Sequence, residues 1–227
     1  MNKRLILFFL SAVFFAGTIS AQPRTAQYFQ QEIARFDSLN RIENYSKNAI
    51  LFTGSSSIRL WTTIREDMQP YEVIQRGFGG ARIEDLDWYY DHIFVQKKYK
   101  AIVIFCGTNN ITGSKEDMSA DSILYYTRKI NDRIRKQYRK TPVYWVAITP
   151  VNSRINVMDK VADMNRRWKE EFSQQKKIRL IETTAAFLGA DGKPRAELFI
   201  NDQLHLNREG YKLWSSIIHK VLDETLQ

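Results

Sequence analysis

The chain has 227 residues, 44% of them hydrophobic and 26% charged, with a formal net charge of +9. This is enough to build one domain around a proper core, and it excludes the low-hydrophobicity, charge-dominated profile of a disordered chain. Lysine and arginine are dispersed among acidic residues in runs no longer than two, such as Lys97-Lys98, so no nucleic-acid partner is expected.

Lys3 and Arg4 precede an apolar run from Leu5 to Ala16 broken only by Ser11, and Ile19-Ser20-Ala21 closes on a small residue. That order predicts a secretory signal peptide over residues 1–21. The run is too short to span a bilayer comfortably, so the expected product is a secreted or periplasmic domain, residues 22–227, with no stable membrane insertion. Cys106, the only cysteine, lies in an apolar run. It can form no internal disulfide and is expected to be a buried, inert thiol. Cysteine and histidine show no metal-ligand spacing.

Phe29, Ile33, Phe36 and Leu39 recur at helical spacing, so residues 25–43 are predicted as an amphipathic helix packed on the domain. A first strand is expected over Ala49–Thr53, a helix over Ser57–Met68, and a second strand over Tyr71–Ile74 running to Gly77-Phe78-Gly79-Gly80. A helix over Ile83–Lys97, a strand over Ala101–Cys106, and a long charged helix over residues 116–139 follow. Then come a strand over Val143–Ile148, a helix over residues 157–174, a strand over Ile178–Ile181, and a loop containing Gly189, Gly192 and Pro194. Asn207 is expected to cap a last helix that presents Tyr211, Leu213, Trp214, Ile217, Ile218 and Leu222. The strands are short continuous apolar runs that alternate with helices, which predicts an α/β fold with a mostly parallel five-stranded sheet covered on both faces.

In such sheets ligands sit at the carboxyl ends of the strands. Gly54-Ser55-Ser56-Ser57 follows the first strand, Gly77-Phe78-Gly79-Gly80 the second, Gly107-Thr108-Asn109-Asn110 the third, and Asn201-Asp202-Gln203-Leu204-His205 comes after the fifth. These are the parts of an acyl-transfer site. A serine at a helix start has its own amide and the helix dipole aimed outward. A glycine lets a second amide approach, and Asn109 can add a side-chain donor. A serine needs a base, which His205 can be, and Asp202 three residues earlier can orient its ring. His92 and His219 fall within predicted helices, where packed or surface roles are expected. Arg59 and Arg82 closely follow these turns and are expected mainly on solvated helix faces. Trp61, Trp88, Trp145, Trp168 and Trp214 do not line up as a sugar-stacking platform on any one element.

Together the four segments resemble the SGNH, or GDSL-type, serine hydrolases over Ile50 to about Tyr211. "FTGSSSI" is similar to the first block of that family, "RGFGGARIEDL" to the second, "IFCGTNN" to the third and "DQLHLNREGY" to the last. Gly-Thr-Asn-Asn and Gly-Phe-Gly-Gly most resemble the platelet-activating-factor acetylhydrolase-like branch. The resemblance implies Ser56 as nucleophile, His205 and Asp202 as the rest of a triad, and an oxyanion hole of Ser56, Gly80 and Asn109. It also implies a flavodoxin-like three-layer α/β/α sandwich and ester hydrolysis with neither metal nor cofactor. Two positions depart from the pattern: the first-block Asp is Ser55, and an Asn often found at the start of the second block is Gln75. Both support loops. The expected activity is an exported esterase for small acyl esters, acetyl first, with an O-acylated glycan as the leading substrate and a short-chain lipid ester next. A non-catalytic glycan- or lipid-binding module on the same fold is the alternative from another class.

Overall fold

A computed structural model describes residues 28–226, so the expected signal sequence lies outside the described residues. The sheet holds β1 (Ile50–Gly54), β2 (Val73–Gly77), β3 (Ala101–Phe105), β4 (Val143–Val146) and β5 (Ile178–Ile181), in the order β2-β1-β3-β4-β5. Every pairing is parallel, with Gly54 level with Gly77 on one side and with Phe105 on the other. This is the flavodoxin-like order, in which the chain changes direction across the sheet between β1 and β3 and opens a crevice at their carboxyl ends.

Each strand sends alternate side chains into two separate cores. Leu51, Ile74, Ile102, Ile104, Val143 and Trp145 face one layer of helices: α1 (Gln30–Ile42), α4 (Ile83–Trp88), α5 (Tyr90–Ile93), α6 (Ala120–Gln137) and α7 (Met158–Ser173). Ile50, Phe52, Val73, Val103, Phe105 and Tyr144 face the other: α2 (Ser56–Arg59), α3 (Ile64–Asp67) and α8 (Arg208–Thr225). The expected three-layer α/β/α sandwich is thus what forms, because strands of continuous apolar residues must be covered on both faces. Trp61, Trp145, Trp168 and Trp214 are wholly buried in these cores. Cys106 is buried too, and burial, followed by the nearby Asp85 and Glu84 carboxylates, pushes its thiol well above the ordinary value.

Several boundaries differ from the sequence expectation for local reasons. The helix expected over Ser57–Met68 is two short helices, α2 and α3, separated around Trp61-Thr62-Thr63, where β-branched residues are poor helix formers. β2 begins at Val73, after a cis Gln69-Pro70 bond, and not at Tyr71. The helix expected over Ile83–Lys97 is α4 and α5 and stops at Ile93. α6 starts at Ala120 and not at residue 116, because the Asp117 side chain accepts from the amides of Thr112 and Gly113 and closes a turn there, leaving Ser119 to cap the helix. Asn207 caps α8 as expected, accepting from the Gly210 amide at 3.0 Å.

α8 is fastened to α2 and α3 by a small polar network around Asp67. Oδ2 of Asp67 accepts from Trp61 Nε1 at 2.7 Å, Thr63 Oγ1 at 2.7 Å and Arg208 Nη1 at 2.6 Å. Burial pushes this carboxyl up, but the Arg208, Trp61 and Thr63 bonds outweigh it, and the net result lies below the ordinary value. Asp67→Ala leaves the buried Trp61 N–H without an acceptor and is expected to cost about 2–3 kcal/mol of stability, read as a lower urea midpoint. A depressed folded pKa means the carboxylate's contribution is complete above the unfolded value of about 4 and is lost as pH falls through the folded value. The stability gap between wild type and Asp67→Asn is therefore expected to shrink below about pH 4.

Candidate active site

β1 ends in Gly54 with φ +127°, and a Cβ there would lie 1.9 Å from the Phe105 carbonyl oxygen of β3. Only glycine lets the chain turn that close to β3. Ser55 follows in an extended conformation, its amide donating to that same carbonyl at 2.9 Å, and Ser56 is the first residue of α2. The turn is braced from below. Gln75 Nε2 donates to the carbonyls of Ile58 at 2.6 Å and Trp61 at 3.0 Å, and the Tyr211 hydroxyl donates to the Ser57 carbonyl at 2.9 Å. Gln75 thus supports the loop, as its position in the second block suggested.

The loop after β5 reaches back across the sheet ends. His205 Nε2 lies 2.9 Å from Ser56 Oγ, and His205 Nδ1 lies 2.6 Å from Asp202 Oδ2. The other Asp202 oxygen accepts from the amides of Leu204 and His205, both at 2.9 Å, so the backbone holds the carboxylate in place. Gln203 between them adopts φ +53°, a left-handed conformation that folds the loop tightly enough for this double acceptance. Burial raises the Asp202 carboxyl, but the His205 amide, the His205 ring and the Leu204 amide lower it further, so it ionises below the ordinary range. A carboxylate in that state keeps Nδ1 protonated and Nε2 free to accept from a hydroxyl.

Three N–H groups complete the arrangement. Gly80 adopts φ +75°, which a side chain would strain, and neither its amide nor the Ser56 amide has an acceptor among the described residues. Asn109 Nδ2 donates one hydrogen to the Ala81 carbonyl at 3.0 Å and retains a second. Ser56, Gly80, Asn109 and His205 line one open cleft of about 740 Å³. A much smaller chamber of about 10 Å³ lies on the inner side of Ser56, walled by Phe105, Thr108, Val151, Leu204, Leu206 and Trp214 among others. All five sequence-predicted residues are therefore brought together.

The other candidates go elsewhere. His92 pairs with Asp37 at 2.8 Å on the surface, and His219 contacts the Asp67 carbonyl at 2.9 Å. Asn110 is structural: it accepts from the Ile83 amide and donates to Glu84. Arg82 is bound to the Glu116 carbonyl, whereas Arg59 sits at the cleft rim, 3.5 Å from Glu32. Sequence reasoning missed Arg154. Its guanidinium donates to the Thr108 carbonyl at 2.5 Å and to Asn109 Oδ1 at 3.2 Å, fixing which way the Asn109 amide points. Its neighbours Asn152 and Ser153 bond to Gln203 in the His205 loop, at 2.8 and 3.2 Å. The one available signal was position, just past the carboxyl end of β4. Tyr28, Gln30, Gln31 and Glu32, which line the same cleft, were also missed because an N-terminal helix carries no block of the motif.

Among solved structures, a Streptococcus pneumonia protein provisionally described as a platelet activating factor superposes with a TM-score of 0.76 at 21% identity, over 87% of this chain and 92% of its own. An acetyl xylan esterase superposes with a TM-score of 0.62 at 20% identity, over 77% of this chain and 99% of its own. An N-acylneuraminate cytidylyltransferase of Escherichia coli O18:K1:H7 is 24% identical over 85% of this chain, and the chain spans about half the length of that relative, 46% of it. The model of the GDSL-like Lipase/Acylhydrolase family matches residues 48–213, a span that runs from the start of β1 through the His205 loop into α8. The chain belongs to that family.

Proposed function

We propose that the protein is an exported serine esterase that removes small acyl groups, acetyl first, from carbohydrate hydroxyls. The observation that carries this reading is the continuous chain from Ser56 Oγ through His205, 2.9 Å away, to Asp202, 2.6 Å beyond. Ser56 Oγ bonds to the ester carbonyl carbon as its proton passes to His205 Nε2. The carbonyl oxygen takes the negative charge, held by the Ser56 and Gly80 amides and the Asn109 side chain. The intermediate collapses, the bond to the leaving oxygen breaks, and the imidazolium protonates the departing alcohol. Water, deprotonated by His205, then attacks the acyl-enzyme and releases the carboxylate, restoring Ser56.

The small acyl group is favoured by the inner chamber, whose 10 Å³ is about the room one water-sized group requires. The carbohydrate leaving group is favoured by the size and polarity of the outer cleft and agrees with the naming of an acetyl xylan esterase among the structural neighbours. Export is favoured by the charged head, apolar run and small-residue site of residues 1–21.

Turnover of 4-nitrophenyl acetate is the direct test. Ser56→Ala is expected to lower kcat by about 10⁴-fold or more, and Asp202→Asn by about 10²–10⁴, with the fold intact by circular dichroism. Equal rates from wild type and Ser56→Ala contradict the reading. Along a 4-nitrophenyl ester series, kcat/KM is expected to fall at least about tenfold from acetate to octanoate, and a rise with chain length favours a lipid ester instead. Arg154→Met frees the Asn109 amide to turn and is expected to lower kcat by about 10–100-fold with KM little changed, approaching the loss for Asn109→Ala.

A further inference from the structure

The outer cleft is walled on one side by the segment opening α1, which is not among the segments that carry the triad or the oxyanion donors. Tyr28, Gln30, Gln31 and Glu32 line it together with Arg59 and the catalytic groups. The helix is held by Phe29, Ile33 and Phe36, all buried in the core, so these polar side chains sit on a fixed backbone. Glu32 also joins α1 to the oxyanion loop, its Oε1 accepting from the Gly79 amide at 3.0 Å. The side-chain amides of Gln30 and Gln31 make no hydrogen bond among the described residues, and both are exposed. Tyr28 is 64% exposed, its ring nearly perpendicular to that of Phe29 with centroids 4.9 Å apart.

We infer that this wall is a binding subsite for the sugar ring that carries the acyl group, an inference that rests on the carbohydrate reading above. A pyranose presents an apolar C–H face and a rim of hydroxyls that both donate and accept. The wall supplies both complements: an exposed aromatic ring for the face, and two amides and a carboxylate for the rim. The charge at the rim is already balanced, because Arg59 lies 3.5 Å from Glu32, so the fit is to a neutral sugar and not to a uronic acid. Both parts adjoin the cleft that holds Ser56 and His205, so a ring bound there keeps an acylated hydroxyl within reach of the nucleophile.

The test uses the whole mature protein and two substrates that share an acetyl group, methyl 3-O-acetyl-β-D-xylopyranoside and 4-nitrophenyl acetate, and reads the ratio of their kcat/KM values. In Tyr28→Ala and in the Gln30→Ala/Gln31→Ala double variant that ratio is expected to fall tenfold or more, chiefly through KM for the sugar ester. Tyr28→Phe is expected to keep the ratio within threefold of wild type. A loss of folding or of the catalytic array lowers both substrates together and leaves the ratio where it was. A ratio unchanged within twofold in both alanine variants, with the sugar ester still turned over, overturns the subsite alone. Wild type that cleaves the aryl ester and leaves acetylated sugars untouched overturns the carbohydrate reading, and the subsite with it.

Discussion

One hydrogen bond, 2.9 Å between Ser56 Oγ and His205 Nε2, joins residues 149 positions apart, and the proposed chemistry depends on keeping it. Neither residue could hold it alone. Ser56 is placed by a glycine that lets β1 turn against the β3 carbonyl, and His205 by a tight loop wrapped around the Asp202 carboxylate. What holds the two segments at a fixed distance is the packing of α8 on α2 and α3. Trp61 stacks on Tyr211 with centroids 5.3 Å apart, the Tyr211 hydroxyl holds the Ser57 carbonyl, and Arg208 reaches Asp67. The aromatic contacts supply area, and the buried polar bonds supply register, since each has only one geometry in which it is satisfied.

A second bracing system runs through residues 152–154, beyond β4. Arg154 orients Asn109 on one side, while Asn152 and Ser153 hold Gln203 on the other. The Asn109 side and the His205 side of the cleft are thus tied to a common segment. Preorganisation of this kind matters because donors fixed before reaction do not spend energy reorienting as charge develops on the substrate oxygen.

Much of this was legible in the sequence because the candidate site sits in short contiguous blocks. Gly54-Ser55-Ser56, Gly79-Gly80 and Gly107-Thr108-Asn109 follow the ends of β1, β2 and β3, which the parallel sheet brings together, and Asp202 to His205 is one short block on the loop that returns to them. β1, β3 and β4 were readable for a related reason: their residues are buried on both faces, so the runs carry no charged residue. What could not be read depended on side chains that meet only after folding. Arg154 contacts a residue 45 positions away, and the cleft wall comes from a helix whose packing face alone has a periodic signal. The break between α2 and α3 was hidden because Ile58, Trp61 and Ile64 continue a helical apolar spacing through a segment that turns.

The central claim is that Ser56 is an activated nucleophile, made so by His205 and Asp202. A fluorophosphonate reagent tests this directly, since it bonds to a serine oxygen only where a base removes the proton and donors hold the phosphoryl oxygen. Intact mass and peptide mapping after exposure should find one adduct per chain, on Ser56, forming far more slowly in His205→Ala. An adduct on Ser55 or Ser57, or active enzyme that stays unlabelled, contradicts the account.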